Sequence, residues 1–463
     1  MTTHFLLVPF MAQGHMIPML DIAHVLAHRG AKVTFVTTHM NAATIRPIIH
    51  RATNSGLSIV VVELNFPCSE VGLPDGFESA DQLYTSDQFL TFFRALPLLQ
   101  PQLELCLQSN KPDCVIFDFQ HAWAALAARN FGISRLSFHG TAAFFLLCYR
   151  NIEKEGILLS KDDTSENDPY AVPGNLPQDI VLTRAKTRLW PDTPEWREIR
   201  EEIILGEESA DGVVLNSFAE LEPWFIERYR EAVDKPLWPI GPLSLHAGLG
   251  EMRGKVVSLD TDQLMAWLDS NEQRSVVFAN FGSLVRHSPS QLVEIGYGLE
   301  KSGRPFIWVV KEAGEKIEVR GRGLVIRGWA PQVSILSHGA VGGFLTHCGW
   351  NSVVEAVAAG VPIATWPHFS DQFMNERLVV DFLRVGVAVE GTEVPPEFFV
   401  DGDRYQVGRE GVEKAIGRLM DEGEEAEGRR QRAKELGEKA RRAVEKGGSS
   451  FDGLTELIRR FSK

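Results

Sequence analysis

The chain has 463 residues and a mass of 51.6 kDa, with 44% hydrophobic and 23% charged side chains. That excludes a disordered, collagen-like or disulfide-stapled chain and provides for two α/β cores. Its 47 basic against 61 acidic residues leave a net charge of −14, a surface that repels nucleic-acid backbones and acidic membranes. The five cysteines lack metal-ligand spacing, the amino terminus lacks a basic stretch, and no apolar run approaches the ~18 residues of a membrane span. Reduced thiols in a cytoplasmic chain that does not span a membrane are expected.

Along the chain, short apolar runs alternate with longer amphipathic ones, the pattern of βαβ units around buried parallel sheets. Residues 5–10 are expected as the first strand, 17–28 as a helix, and 32–37 and 59–63 as the next two strands. One long helix is expected over 87–107. Strand 114–117 carries Asp118 at its carboxyl end, and strands 135–138 and 212–215 follow. Trp238-Pro239-Ile240-Gly241-Pro242 reads as a stiff exit and the glycine-rich stretch to Gly254 as a tether, which places a domain boundary near residue 245. A second series of strands is expected at 275–280, 305–310, 324–326, 343–346 and 362–365. Opposite charges at helical spacing over 421–446 predict a solvated helix. Phe451, Leu454, Leu457, Ile458 and Phe461 form an apolar stripe that needs a surface to pack on. The expected fold class is α/β: two doubly wound Rossmann-like domains, residues 1–245 and 246–449, facing across a cleft.

Chemistry is expected where strand ends carry polar side chains. After the first strand, Gln13-Gly14-His15 forms a glycine turn that projects His15 from the sheet edge. In a doubly wound order Asp118 becomes its neighbour, and a carboxylate beside one imidazole nitrogen leaves the other to take a proton. Helix capping is the bland alternative for each residue alone; the pairing favours a dyad. In the second domain, Thr346-His347-Cys348-Gly349-Trp350-Asn351-Ser352 is a strand end, a turn and a helix start, an anion site suited to a pyrophosphate. Ser352 and Glu355 also fit a capping box, which explains neither His347 nor an exposed Trp350. Asp371 and Gln372 follow the next strand, where they suit sugar hydroxyls or, for Asp371, an N-cap. Phe281-Gly282-Ser283 adds a second small turn on this edge. Asp260-Thr261-Asp262 has the form of a metal-binding pair but precedes a helical apolar pattern, so a helix N-terminus accounts for it better. No Gly-x-Gly-x-x-Gly follows either domain's first strand, which disfavours a dinucleotide-dependent dehydrogenase.

Trp329-Ala330-Pro331-Gln332, then His347 to Ser352, Glu355 and Asp371-Gln372 span 372 − 329 + 1 = 44 residues. This run resembles the signature of plant secondary-product glycosyltransferases that use nucleotide-diphosphate sugars. The likeness extends to the Gln-Gly-His-Met-Ile-Pro opening, Asp118 with Trp123, His139-Gly140-Thr141 and the Trp-Pro-Ile-Gly-Pro-Leu exit. It implies the two-domain type B fold, with residues 450–463 as a helix crossing back to the first domain, and a monomer. By the same resemblance Trp329, Ala330 and Gln332 would hold uracil and Glu355 the ribose. His347, Asn351, Ser352 and Ser283 would hold the pyrophosphate, and Trp350, Asp371, Gln372 and Thr141 the sugar. Gln372 with Trp350 resembles glucose-using members, so UDP-glucose is the expected donor, with no cofactor and no metal. Departures from the commonest family residues at Asn280, Gly339, Val353, His368 and Ser370 are expected to bear on the sugar, not the nucleotide.

The implied reaction has His15 as general base assisted by Asp118, an acceptor hydroxyl attacking with inversion, and the helix start and His347 meeting the leaving charge. Phe66, Phe77, Tyr84, Phe89, Phe92, Phe93, Phe138, Phe144 and Phe145 fit either an aromatic acceptor pocket or core. Flavonoid, other phenolic and terpenoid acceptors all suit such a pocket, and whether oxygen or carbon accepts the sugar stays open. His121 could reach the acceptor, but a surface or capping role fits it better. A nucleotide-sugar binding protein without turnover is the competing reading, and retention of both His15 and Asp118 disfavours it.

Overall fold

The computed structural model describes residues 2–158, 165–246, 260–311, 321–392 and 406–462. A first sheet of seven parallel strands has the order β3-β2-β1-β4-β5-β8-β9. Its strands are β1 (His4–Val8), β2 (Lys32–Thr38), β3 (Ile59–Leu64), β4 (Cys114–Asp118), β5 (Ser134–His139), β8 (Gly212–Leu215) and β9 (Leu237–Pro239). A short antiparallel hairpin, β6 (Pro169–Ala171) with β7 (Val181–Thr183), stands apart from it. The second sheet, also parallel, has the order β12-β11-β10-β13-β14-β15. It comprises β10 (Val276–Asn280), β11 (Phe306–Val310), β12 (Gly323–Arg327), β13 (Val341–Thr346), β14 (Ile363–Thr365) and β15 (Gly386–Ala388). Strands β1, β4, β11 and β13 are buried at every residue, because helices cover both faces of each sheet and continuous apolar runs suit that double burial.

Each sheet reverses its winding beside its first strand, between β1 and β4 and between β10 and β13. Register there sets the site. Val8 pairs with Phe117, so Asp118 and the residues after β1 leave the sheet side by side. In the second sheet Asn280 pairs with Thr346, which brings the turn at Gly282 against His347. Crevices at such reversals are where open α/β sheets bind ligands.

Three expectations need correction. The first strand stops at Val8, before Pro9, and the following helix starts at Gln13 rather than Ile17, so His15 lies in a helical first turn. The long helix over 87–107 is broken into Ser86–Ala95, a 3₁₀ turn Leu96–Leu99, and Gln100–Asn110. Pro97 and Pro101 explain the break, since each lacks an N–H and its ring clashes with the preceding turn. Among the second-domain strands, β15 was not anticipated.

The closing helix, Ser449–Phe461, buries Leu454 and Leu457 against the first sheet with Phe5 and Trp238. Phe461 meets Phe5 edge-on at 6.2 Å, and the Ser450 hydroxyl donates to Gly241 O at 2.5 Å. The chain therefore crosses back after the second domain, and the helix preceding it, Glu424–Val444, is the charge-laced one. The glycine-rich stretch from residue 247 falls outside the described residues.

Candidate active site

A cleft of about 1160 Å³ opens where the carboxyl edges of the two sheets face each other. On the first-domain wall, His15 Nδ1 lies 2.8 Å from Asp118 Oδ2. Asp118 is fully buried and His15 keeps 24% of its side-chain surface, so the carboxylate sits behind the ring and the ring faces the cleft. Burial alone would lower the His15 pKa, but the charge and hydrogen bond of Asp118, with Asp371 nearby, raise it above the ordinary 6.5. Burial would lift Asp118, yet His15, His121 and the Gln120 N–H together hold it below the usual carboxylate range. Phe10 packs edge-on against His15 at 5.1 Å and Phe119 lies 6.3 Å away, so the ring orientation is fixed by packing as well as by Asp118.

His121 is buried, not on the surface, and its side chain caps nothing. Its Nε2 lies 2.9 Å from Pro9 O and its Nδ1 accepts from Trp123 Nε1, while burial pushes its pKa down to about 4. It is a neutral brace under the dyad. Of the nine aromatic residues that fit either an acceptor pocket or core, Phe77 and Tyr84 line the cleft. Phe89, Phe92, Phe93, Phe138, Phe144 and Phe145 are buried in the cores on inward-turned strand and helix faces, and Phe66 is buried from a loop. Ile17, Pro47, Ile48 and Phe119 add apolar surface on this wall, and Leu284 adds to it from the second domain.

The second-domain wall gathers Ser283, Trp329, Ala330, Gln332, His347, Trp350, Asn351, Ser352, Glu355, Asp371 and Gln372, and Thr141 joins them from the first domain. Thr141 Oγ1 is buried with no hydrogen-bond partner among the described residues. The helix at this wall is Trp350–Ala359 with Gly349 as N-cap and no side-chain cap, so Ser352 and Glu355 form no capping box. Instead Gln332 Nε2 donates to Glu355 Oε2 at 2.8 Å and to Ser352 Oγ at 3.2 Å, and Gln332 Oε1 accepts from Asn280 Nδ2 at 2.7 Å. Asn280 thus braces Gln332, on the side the resemblance gives to the nucleotide and not the sugar. Trp350 is 2% exposed rather than exposed, because its indole N–H donates to Asn216 O of the first domain at 2.7 Å.

The His347 ring is wedged between Gly282 and Gly349, where a Cβ at either glycine would strike it. Burial, then the charges of Lys311 and His368, hold its pKa well below 6.5, so the ring is neutral. Lys311 lines the cleft and Nζ donates to Val285 O at 3.4 Å. Sequence reasoning missed this cation, although the signal that selected Asp118, a polar residue just past an apolar parallel strand, was present after β11.

Gln372 Oε1 accepts from the N–H groups of His368 and Phe369 at 2.9 and 3.2 Å, which shapes the loop before it. Asp371 caps no helix N–H with its side chain; its Oδ2 accepts from Asn375 Nδ2 at 2.8 Å. Burial pushes the Asp371 carboxyl up to about 6, against the pull of Asn375 and His15. A carboxyl raised on folding gives stability at low pH that is lost as pH rises through the folded value. Asp371→Asn is therefore expected to raise the melting temperature by an amount that grows from pH 4 to pH 6 and is level above, as read by thermal unfolding.

Asp260 Oδ1 accepts from Asp262 N at 2.9 Å at the start of the helix Thr261–Asp269, as the helix reading expected. No group of three or more His, Cys, Asp or Glu among the described residues is placed to hold a metal ion. No helix among them is long and apolar enough to cross a membrane. All five cysteines are free and buried.

Two facing doubly wound sheets, one shared cleft and an anion-type helix start opposite a histidine–aspartate pair define the type B glycosyltransferase architecture. The family model described as "Glycosyltransferase, N-terminal domain" matches residues 3–245, and that of "UDP-glucoronosyl and UDP-glucosyl transferase" matches 233–392. The chain is 43% identical over 98% of its length to UDP-glycosyltransferase 73C6 of Arabidopsis thaliana, covering 95% of that protein. It is 42% identical to UDP-glycosyltransferase 73C11 of Barbarea vulgaris, with the same 98% and 95% coverage. The crystal structure of UGT73P12 of Glycyrrhiza uralensis, complexed with glycyrrhetinic acid 3-O-monoglucuronide, superposes with a TM-score of 0.87 at 35% identity. That match covers 100% of this chain and 96% of the other. The chain belongs to the plant family 1 UDP-glycosyltransferases, and it is a UDP-glycosyltransferase enzyme.

Proposed function

We propose that the chain transfers glucose from UDP-glucose to a hydroxyl of a small apolar or aromatic acceptor, with inversion at the anomeric carbon and without a metal. Residues 1–245 take the acceptor and 246–449 the donor. The observation that carries the reading is the His15–Asp118 pair at 2.8 Å on the cleft wall. Asp118 engages Nδ1, which leaves Nε2 to take the acceptor proton, and its negative charge stabilises the imidazolium that forms. The acceptor oxygen then bonds to the anomeric carbon as the bond to UDP breaks on the opposite face.

On the donor wall Trp329 stacks on uracil with Ala330 and Gln332 at its edge, and Glu355, oriented by Gln332, takes the ribose hydroxyls. Ser283, His347, Asn351 and Ser352 bind the pyrophosphate at the helix start, and Lys311 supplies a cation for the leaving diphosphate. Trp350, Thr141, Asp371 and Gln372 surround the sugar. The cleft exceeds the roughly 300–1,000 Å³ of a single-ligand pocket, as two substrates side by side require. Its apolar first-domain wall suits a flavonoid, other phenolic or terpenoid acceptor.

Purified enzyme offered UDP-glucose, UDP-galactose and UDP-xylose with a mixed aglycone set, with and without EDTA, tests this by mass. Glucosides formed equally in both conditions are expected. A strict requirement for Mg²⁺ or Mn²⁺, or preference for another sugar, would overturn the corresponding part.

A further inference from the structure

One chain of side-chain amides joins the two domains through the base of the cleft. The residue at its centre, Asn216, follows β8 and is 2% exposed. Its Oδ1 accepts from Leu243 N–H at 3.2 Å, which assigns the other end of the amide as the donor. Asn216 Nδ2 donates to Asn351 Oδ1 at 3.2 Å, and Asn351 Nδ2 donates to Gly14 O at 2.5 Å. Each group along this path has one polarity open to it, because a backbone N–H only donates and a carbonyl only accepts. Gly241 permits the close approach, since a Cβ there would meet Asn216 Oδ1 at 2.7 Å.

Gly14 O is open to Asn351 for a covalent reason. Within the helix Gln13–His28 that carbonyl would bond the N–H four residues on, and that residue is Pro18, which has none. The first turn therefore presents Gly14 O, one residue before His15, to the second residue of the donor-wall helix. A separate tie, Trp350 Nε1 to Asn216 O, holds the first residue of that helix through backbone and is indifferent to the Asn216 side chain.

We infer that Pro18 and Asn216 are positioning residues: they orient the Asn351 amide and set the donor-wall helix in register with the turn that carries His15. The inference rests on the donor and base roles proposed above. A misplacement of either reacting partner by about 1 Å is enough to cost up to 10²-fold in rate.

Pro18→Ala is the sharpest test, because the new N–H closes on Gly14 O and competes with Asn351 while adding a helical bond. The expected result is a melting temperature equal to or above that of the parent and a kcat, at saturating donor, about tenfold lower. Asn216→Asp keeps an acceptor for Leu243 N–H but sets an oxygen against Asn351 Oδ1, so kcat falls at least as far. Asn216→Ala removes the bond without the repulsion and falls less. UDP affinity is read by calorimetry on every protein and falls by less than kcat does, because Ser283, His347 and Ser352 still hold the pyrophosphate while the misregister acts on the reacting atoms. Parent kcat in Pro18→Ala would overturn the inference, as would losses in the Asn216 variants that merely follow their melting temperatures. If Asn216→Asp does not fold, Asn216→Ala carries the comparison. A parent protein that fails to bind UDP would instead overturn the donor reading itself.

Discussion

His15→Ala is expected to lower glycosyl transfer by about 10² to 10⁴ while UDP affinity stays close to that of the parent. Alanine removes the imidazole that pairs with Asp118 at the cleft wall, yet His15 stands on the first-domain wall while Trp329, Gln332 and Glu355 stand on the second. Asp118→Asn tests the pair differently. The imidazole stays in place, but the negative charge that raises its pKa is gone, so both rate and pH dependence move.

The direction follows from the protonation states. A general base works when neutral, so activity falls on the acid side as pH drops through the His15 pKa, which lies above 6.5. Without the Asp118 charge that limb shifts to lower pH. The same pair contributes to stability over a bounded window. The Asp118 share is present above its ordinary unfolded value and is lost as pH falls through its lowered folded value; the His15 share is present below 6.5 and is lost as pH rises through its raised one. Stabilisation by the ion pair therefore fades over the pH range in which the base becomes competent. A pH–rate profile for the parent and Asp118→Asn checks the shift, and coincident acid limbs would sink the assignment.

Trp329→Ala is expected to weaken UDP binding about 5- to 150-fold, the range of one lost base-stacking contact of roughly 1–3 kcal/mol. Uracil is far along the donor from the anomeric carbon. Its contact is shared by ground and transition states, so donor KM should rise while kcat at saturation changes little. Calorimetry with UDP and steady-state kinetics measure the two effects. Unchanged UDP affinity would mean that the base binds elsewhere, and the roles given to Ala330, Gln332 and Glu355 would fall with it.

Much of this site was legible before folding was considered. Period and strand length identified both parallel sheets, and polar residues after apolar strands marked His15, Asp118, Ser283, His347, Asn351, Ser352, Asp371 and Gln372, while Trp329, Ala330, Gln332 and Thr141 came from the family resemblance. These site residues except Asp118 line one cleft, and Asp118 stands directly behind His15. Those signals are local: a strand end and a helix start are written in neighbouring residues.

The misreadings have a common origin. Trp350 was expected to be exposed because a helix start at a sheet edge is open within its own domain, and Asn216 of the other domain closes it. The phenylalanines of the first domain have no period that separates a cavity wall from a core, which left both readings open until the fold put most of them in the cores. Lys311 and the bond from Asn351 to Gly14, 337 residues apart, gain their meaning from a facing surface. Local sequence sets which residues stand at the edge of each sheet. Which edge residues meet is decided by how two separately wound domains dock, and that arrangement sums many weak contacts between segments too distant in the chain to share a pattern.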